Sequence, residues 1–358
     1  MIKITPKQMN ILSVFLEKGP LRVSEVREEI IKTGREISKV TVSRTLSAMA
    51  REGILQVSGS GRSTIYDISA LGRIFSEIDA KKYYAFEPDK RYGMSRYNFN
   101  LLPAMPSDIF TQSELKTLDD ATSEYKRRSN NLPPAIQKKE LERLVIELSW
   151  KSSKIEGNTY TLLDTEKLIL ENKEAPGHDK KEAQMILNHK NAFNFILKNA
   201  SQFKTITRKN IQELHSVIVE SLNVNLGFRQ KPVGVLGSKY RPLDNMYQIT
   251  EAVDTLSAAV SRMTTSYAKA IMAVLGISYI QPFEDGNKRT SRLMANALLL
   301  AHNCAPLSYR SIDENEYREA VLIFYELNSI IPFKRIFIDQ YLFAALNYTL
   351  SAESTQIR

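Results

Sequence analysis

Beyond Pro134 the chain repeats a single kind of pattern, and that repetition limits its architecture more than any other feature. AIQKKELERLVIELSWKSSKIEGN, TLLDTEKLILEN and KKEAQMILNHKNAFNFILKNA place apolar residues at helical spacing. TRKNIQELHSVIVESL, QITEAVDTLSAAVSRM and SYAKAIMAVLGISYI continue it. An all-helical domain over 136–358 is expected. Its longest apolar runs, such as AIMAVLGISYI and LMANALLLA, are too short for the roughly 20 residues that cross a bilayer. MIKITPKQMN lacks the apolar region of a signal peptide, so no membrane partner and a cytoplasmic protein are expected.

The first eighty residues read differently. TPKQMNILSVFLEKG sets Met9, Ile11, Leu12, Phe15 and Leu16 at helical spacing, with Thr5 and Pro6 as start signals and Gly19-Pro20 as the stop. RVSEVREEIIKTG is a second short helix. SKVTVSRTLSAMAREG is a third, with Val40, Leu46 and Met49 available to a core. ILQVSGSGRSTIYDI then alternates like two strands around a Gly-Ser-Gly-Arg tip. Three helices and a basic-tipped hairpin resemble a winged helix-turn-helix domain over 1–80. In that architecture the third helix enters the major groove and the wing reaches phosphate, so Lys39, Arg44 and Arg62 are the expected DNA contacts. Between Lys32 and Arg62 stand six basic residues (Lys32, Arg35, Lys39, Arg44, Arg51, Arg62) against two acidic ones (Glu36, Glu52). Dimerisation or protein docking is the competing use of such a module.

Residues 81–135 read as a linker with short helices, one of them around SELKTLDDATSEYKRR. Within the helical body one interruption stands out. FRQKPVGVLGSKYRPLD has Gly234 and Gly237 framing Val235 and Leu236, and suggests a small β-hairpin able to hold another polypeptide by main-chain hydrogen bonds. An ordinary surface hairpin is the plainer reading. Neither GVLGSK nor GSGRST has the spacing of a P-loop or dinucleotide fingerprint.

The stretch IQPFEDGNKRTSR, Ile280 to Arg292, carries the chemistry. A polar, glycine-containing turn opens the helix RTSRLMANALLLA, so backbone N–H groups and the positive dipole end face an anion while Lys288, Arg289 and Arg292 add countercharge. No group beside it can move a proton at neutral pH, because the inviting position holds the neutral amide of Gln281. One cysteine, Cys304, excludes an internal disulfide and a cysteine-based zinc site. The four histidines lack metal-ligand spacing. A net charge of +9 favours polyanionic partners, but many nucleotide-binding proteins are equally basic.

Taken together these residues resemble the Fic domain family, whose members typically transfer AMP from ATP to a hydroxyl side chain of a target protein. The family loop, His-Pro-Phe-x-Asp/Glu-Gly-Asn-Gly/Lys-Arg, stands here as Gln281 to Arg289, and every fixed position but the first agrees. The resemblance covers roughly 136–345. It implies that Asp285 holds Mg²⁺, that Gly286 and Asn287 offer donors to the α- and β-phosphates, and that Arg289 and Arg292 supply charge. Lys288 stands where family AMP-transferases often have glycine and leaves the nucleotide's orientation open. Residues 233–240 are similar to the family's target-positioning flap, with Val235, Leu236, Gly237 and Tyr240 as its expected contacts. Ser152, Glu156 and Gly157 match the Ser-x-x-x-Glu-Gly pattern of the family's inhibitory helix, expected near 145–158. By that resemblance Glu156 pairs with Arg292 and withholds it from the γ-phosphate. A solvent-facing glutamate at a helix end is the alternative.

Gln281 is the departure. In the family the histidine there takes the proton of the attacking hydroxyl, and such a base contributes about 10²–10⁴ in rate. His302 lies three helical turns beyond Arg289, roughly 20 Å away along the helix. His189 and His215 approach only if the tertiary fold brings them. The expected protein therefore binds ATP with Mg²⁺, transfers AMP feebly or not at all, regulates through its winged helix on DNA, and acts on or through an unidentified protein. Two alternatives are an active autoinhibited adenylyltransferase and a nucleotide-independent protein-binding scaffold. A homodimer is the expected assembly.

Overall fold

The structure is a computed structural model describing residues 4–34, 36–130 and 132–350, with Arg62 described in its backbone alone. Its elements run α1 (Pro6–Lys18), α2 (Val23–Lys32), α3 (Lys39–Arg51), β1 (Leu55–Ser58), β2 (Ile65–Ile68), α4 (Ala70–Ile74) and α5 (Ala80–Tyr84). Then follow α6 (Gln112–Ser129), α7 (Pro134–Ile155), α8 (Leu162–Glu171), α9 (Lys180–Lys198), α10 (Arg208–Ile218) and α11 (Met246–Arg262). The last are α12 (Ser266–Ile280), α13 (Asn287–Ala301), α14 (Glu314–Leu327) and α15 (Ile331–Asn347). The protein is mainly helical, and β1 pairs antiparallel with β2 in a two-stranded sheet. By packing, the chain divides into two units. One gathers Met1–Pro106, Gly234–Arg241 and Glu319–Lys334, and the other holds the remainder.

In the first unit α1 starts with a capping box: Gln8 N donates to Thr5 Oγ1 at 3.3 Å and Thr5 N to Gln8 Oε1 at 2.8 Å. Two of the helix's four orphan N–H groups are thereby satisfied. Ile11, Leu12 and Phe15 of α1, Val26 of α2 and Val42, Leu46 and Met49 of α3 share one core with Ile323 and Leu327. Val42 takes the inner place that the sequence suggests for Val40, which is exposed. Helical spacing sets the difference: 42, 46 and 49 lie on one face, and 40 falls off it. The sheet is the expected wing, with Leu55 opposite Ile68 and Ser58 opposite Ile65, and Leu21 bridging Tyr66 as a further short partner.

The expected β-hairpin at 233–240 does not form. The segment holds no strand and turns at Leu236-Gly237, where Ser238 N donates to Val235 O at 3.3 Å. Polar ties take the place of strand pairing: Arg91 Nη1 donates to Gly237 O at 2.9 Å, Ser238 Oγ to Glu326 Oε1 at 2.6 Å, and Arg241 N to Ser95 O at 2.9 Å. Leu236 is 98% exposed, whereas Tyr240 is buried with its ring 5.4 Å from that of Tyr325. Tyr240 thus belongs to a core and not to a docking edge.

The second unit is organised around α12 and α13. Only Ser266 and Lys269 of α12, and Lys288 and Ala301 of α13, escape full burial. A helix buried on every side sits at the centre of a bundle, α12 by its apolar residues and α13 with buried polar side chains tied by hydrogen bonds and ion pairs. α11 approaches α12 so closely that a Cβ on Gly276 would come within 2.3 Å of Leu256. Asn296 ties the chain beyond α13 back to it, donating to Leu307 O at 2.9 Å and accepting from Leu307 N at 2.7 Å. The α12–α13 connection is thereby held between two rigid, buried helices.

Candidate anion-binding site

α12 ends at Gln281, whose backbone is left-handed (φ 52°, ψ 58°), an uncommon conformation for a residue with a side chain. The side chain folds back, and Nε2 donates to Ser278 O at 2.6 Å. Its own carbonyl accepts from buried Arg229 Nε at 2.7 Å, and Arg229 N donates to Pro282 O at 2.9 Å. Asn287 then closes the loop from below. Its Oδ1 accepts from Phe283 N at 2.9 Å and its Nδ2 donates to Phe283 O at 2.8 Å. The loop is a rigid turn, rigid because both of its ends are bonded to buried side chains.

Gly286 opens α13 at φ 80°, and a Cβ there would lie 3.1 Å from Val219 Cγ1. No side chain caps this helix start. Uncapped first-turn N–H groups together with the helix dipole favour an anion. Arg289 is 2% exposed. Its Nη2 donates to Asp285 Oδ2 at 3.0 Å while its Nη1 is buried without a hydrogen-bond partner. A buried guanidinium nitrogen left unpaired is costly, and a bound oxyanion would satisfy it.

Arg292 is wholly buried and fully engaged by the end of α7. Nε donates to Ser152 Oγ, Nη2 to Ser152 O and Nη1 to Glu156 Oε1, each at 2.8 Å. Glu156 sits just past α7, where Gly157 (φ 97°) turns the chain away. Its other oxygen, Oε2, lies 3.5 Å from Lys288 Nζ. Burial opposes the charge on Glu156, yet Arg292, Lys288 and Arg289 together hold its carboxyl below the usual glutamate value. The solvent-facing alternative for Glu156 is therefore replaced by an ion pair.

Two histidines that sequence alone could not place stand under the loop. His215 stacks on Phe283 with centroids 3.6 Å apart, and its Nε2 donates to Asp285 O at 2.9 Å. His189 Nε2 accepts from Ser152 Oγ at 2.7 Å while its Nδ1 faces Met185 O at 3.2 Å. Burial pushes His215 down to about 4. Burial, then Arg289 and Arg292, push His189 down to about 3. Both are neutral at physiological pH. His189 has both nitrogens committed, whereas His215 commits Nε2 to the loop carbonyl and its Nδ1 is buried without a hydrogen-bond partner.

Residues 205–299 match the model of the Fic/DOC family, and residues 1–78 match that of the ferric uptake regulator family. The helical body contains a Fic domain. The protein adenylyltransferase Fic of Nematostella vectensis is 28% identical over 218 residues, which are 58% of this chain and 51% of the relative. That of Drosophila willistoni is 30% identical over 188 residues, 52% of this chain and 38% of the relative. The chain thus spans about half, or less, of the length of these relatives. Fic-1 of C. elegans superposes with a TM-score of 0.55 at 19% identity, covering 66% of this chain and 70% of that one. A Fic domain containing signaling protein of Bacteroides thetaiotaomicron reaches 0.54 at 19% identity, covering 67% and 97%. At such identities the likeness establishes the fold.

Within one unit the structure brings Gln281, Asp285, Gly286, Asn287, Lys288, Arg289 and Arg292 onto one loop and helix start, with Ser152 and Glu156 against them. In the other unit Lys39 and Arg44 are exposed on α3, and the side chain of Arg62 lies outside the described residues, as does Arg35. Sequence reading left Arg229, His189 and His215 without roles. For a metal, the loop offers Asp285, with its side chain 65% exposed, while the neighbouring Glu284 accepts from Asn225 Nδ2 at 3.0 Å. Among the described residues no group of three or more metal-ligating side chains forms. One carboxylate suits Mg²⁺ carried by phosphate oxygens and water. Among the described residues no helix is long and apolar enough to cross a membrane.

Proposed function

We propose that this chain is a Fic-type ATP-binding protein, closed by Glu156, whose AMP-transfer site is degenerate at Gln281 and whose winged helix binds DNA. One observation carries the reading: the protein's own carboxylate, Glu156, lies on the cationic first turns of α13, where an anion is best received. Displacing it would free Arg292 for a terminal phosphate, beside the unpaired Nη1 of Arg289. Mg²⁺ held by Asp285 would neutralise charge on the phosphates.

Transfer needs a hydroxyl oxygen to bond to the α-phosphorus while the bond to the bridging oxygen breaks and pyrophosphate leaves. The hydroxyl proton must go to a base. Gln281 cannot take it, and its amide is turned to Ser278 O. Binding and switching thus survive where transfer is feeble. The exposed Lys39 and Arg44, and the match to a regulator family, support DNA as the partner of the first domain.

A second reading, an active autoinhibited adenylyltransferase, is favoured by the intact Glu156–Arg292 pair, which would have little purpose in a silent enzyme. The test is incorporation of α-labelled ATP by Glu156→Gly, beside Glu156→Gly/Gln281→His, with Mg²⁺ and a lysate as the source of target protein. Label requiring the histidine supports the degenerate site. Label with Gln281 in place sinks it in favour of the second reading.

A further inference from the structure

Lys288 and Arg292 are four residues apart on α13, so their side chains rise on one face of the helix. Between them lies the Glu156 carboxylate, with Oε1 2.8 Å from Arg292 Nη1 and Oε2 3.5 Å from Lys288 Nζ. Each carboxylate oxygen has its own cation. Arg292 is bound at all three of its nitrogens and has no freedom, whereas the Lys288 side chain is 38% exposed and rides on a flexible stem. The carboxylate also marks a place where this protein holds an anion stably. Any phosphate that displaced it would come within reach of the same two cations.

We infer that Lys288 is a two-way residue of this site, holding Glu156 in the closed state and receiving the displacing phosphate in the open one. The inference rests on the nucleotide-binding reading above and adds a residue that sets how strongly nucleotide must compete. Its consequence is a change of sign. Removing Lys288 while Glu156 is present weakens the lock and helps nucleotide; removing it after Glu156 has gone deletes a phosphate contact and hinders nucleotide. A purely structural lysine, or one serving only the nucleotide, would act in one direction in both settings.

The test is a four-protein cycle: the parent chain, Lys288→Ala, Glu156→Gly and the double variant, each titrated calorimetrically with Mg-ATP and each melted without nucleotide. Glu156→Gln replaces Glu156→Gly should the glycine variant fail to fold. Lys288→Ala is expected to tighten ATP binding about threefold beside Glu156, the scale of a partly exposed ion pair. Without Glu156 it is expected to weaken binding about tenfold, the scale of a hydrogen bond to a charged group. In the melts it should lower Tm by about 2 °C beside Glu156 and leave Tm unchanged or raised without it, since two facing cations are then relieved.

The same direction in both backgrounds, with Glu156→Gly binding ATP, overturns the role of Lys288 and leaves the nucleotide reading standing. Absence of ATP binding in Glu156→Gly overturns the nucleotide reading and with it the receiving role. The melts then decide the lock by themselves, because equal Tm changes in both backgrounds would remove it as well.

Discussion

The two units each present cations at the start of a helix, and they hold them in opposite ways. On α3, capped by Ser38 Oγ accepting from Thr41 N at 3.1 Å, Lys39 and Arg44 stand in solvent. On α13, uncapped, Arg289 and Arg292 are buried and the latter is matched to an internal carboxylate. A solvated cation costs nothing to keep and serves a partner that arrives with many charges. A buried one must be paired at all times, so it can be released only by exchanging one anion for another. The first arrangement suits graded, salt-dependent attraction, and the second suits a switch.

The strongest test of that contrast is the loop's chemistry. In the Glu156→Gly background, Gln281→His should raise label incorporation by about 10²–10⁴, the usual worth of a general base, measured as initial rate on one target. Next comes stability. Glu156→Gly leaves the fully buried Arg292 without its carboxylate and should cost about 3 kcal/mol in urea unfolding. Saturating Mg-ATP should restore much of that loss by binding the folded state alone. Lys39→Ala/Arg44→Ala should change stability by no more than about 0.5 kcal/mol. Equal losses in the two regions would erase the distinction.

Acid should act on the loop as well. The folded value of His215, about 4, lies below the 6.5 of a free histidine, so the unfolded chain binds more protons between them. Stability from His215 is complete above pH 6.5 and is lost as pH falls towards 4, on the order of 3 kcal/mol. His189 adds loss over the same range and down towards pH 3. His215→Asn should flatten the slope of unfolding free energy between pH 6.5 and 4, and an unchanged slope would mean that His215 is not the buried neutral group the geometry shows. The smallest effect belongs to α3. Lys39→Ala/Arg44→Ala should lower the slope of log affinity against log salt by about 0.9 for each lost phosphate contact, with duplex DNA as the titrant.

How much was legible can be judged residue by residue. The helices of the second unit from α7 to α13 follow from apolar periodicity, as does the wing from alternation around its glycine-rich tip. Val40 was misplaced because a two-residue shift on a short helix keeps the composition and changes the face. The hairpin at 233–240 was misread because two glycines around a short apolar pair signal a turn, but strand pairing depends on which neighbours the backbone finds. Here it finds Arg91, Ser95 and Glu326, distant in sequence. Tyr240 was drawn into a core for the same reason.

The sequence by itself determined the loop, the glutamine at its first position and the identity of every charged residue around it, because these depend on covalent order over a dozen positions. Apolar patterning likewise determined that α12 and α13 are helices. Only the tertiary structure decided what those residues do to one another: that Glu156 reaches Arg292 across 136 positions, that Ser152 links His189 to the same arginine, and that His215 bears on the loop. Those relations depend on burial and on contacts between elements far apart in the chain. A carboxylate and a guanidinium are readable as letters, whereas their pairing is a property of the space that folding closes around them.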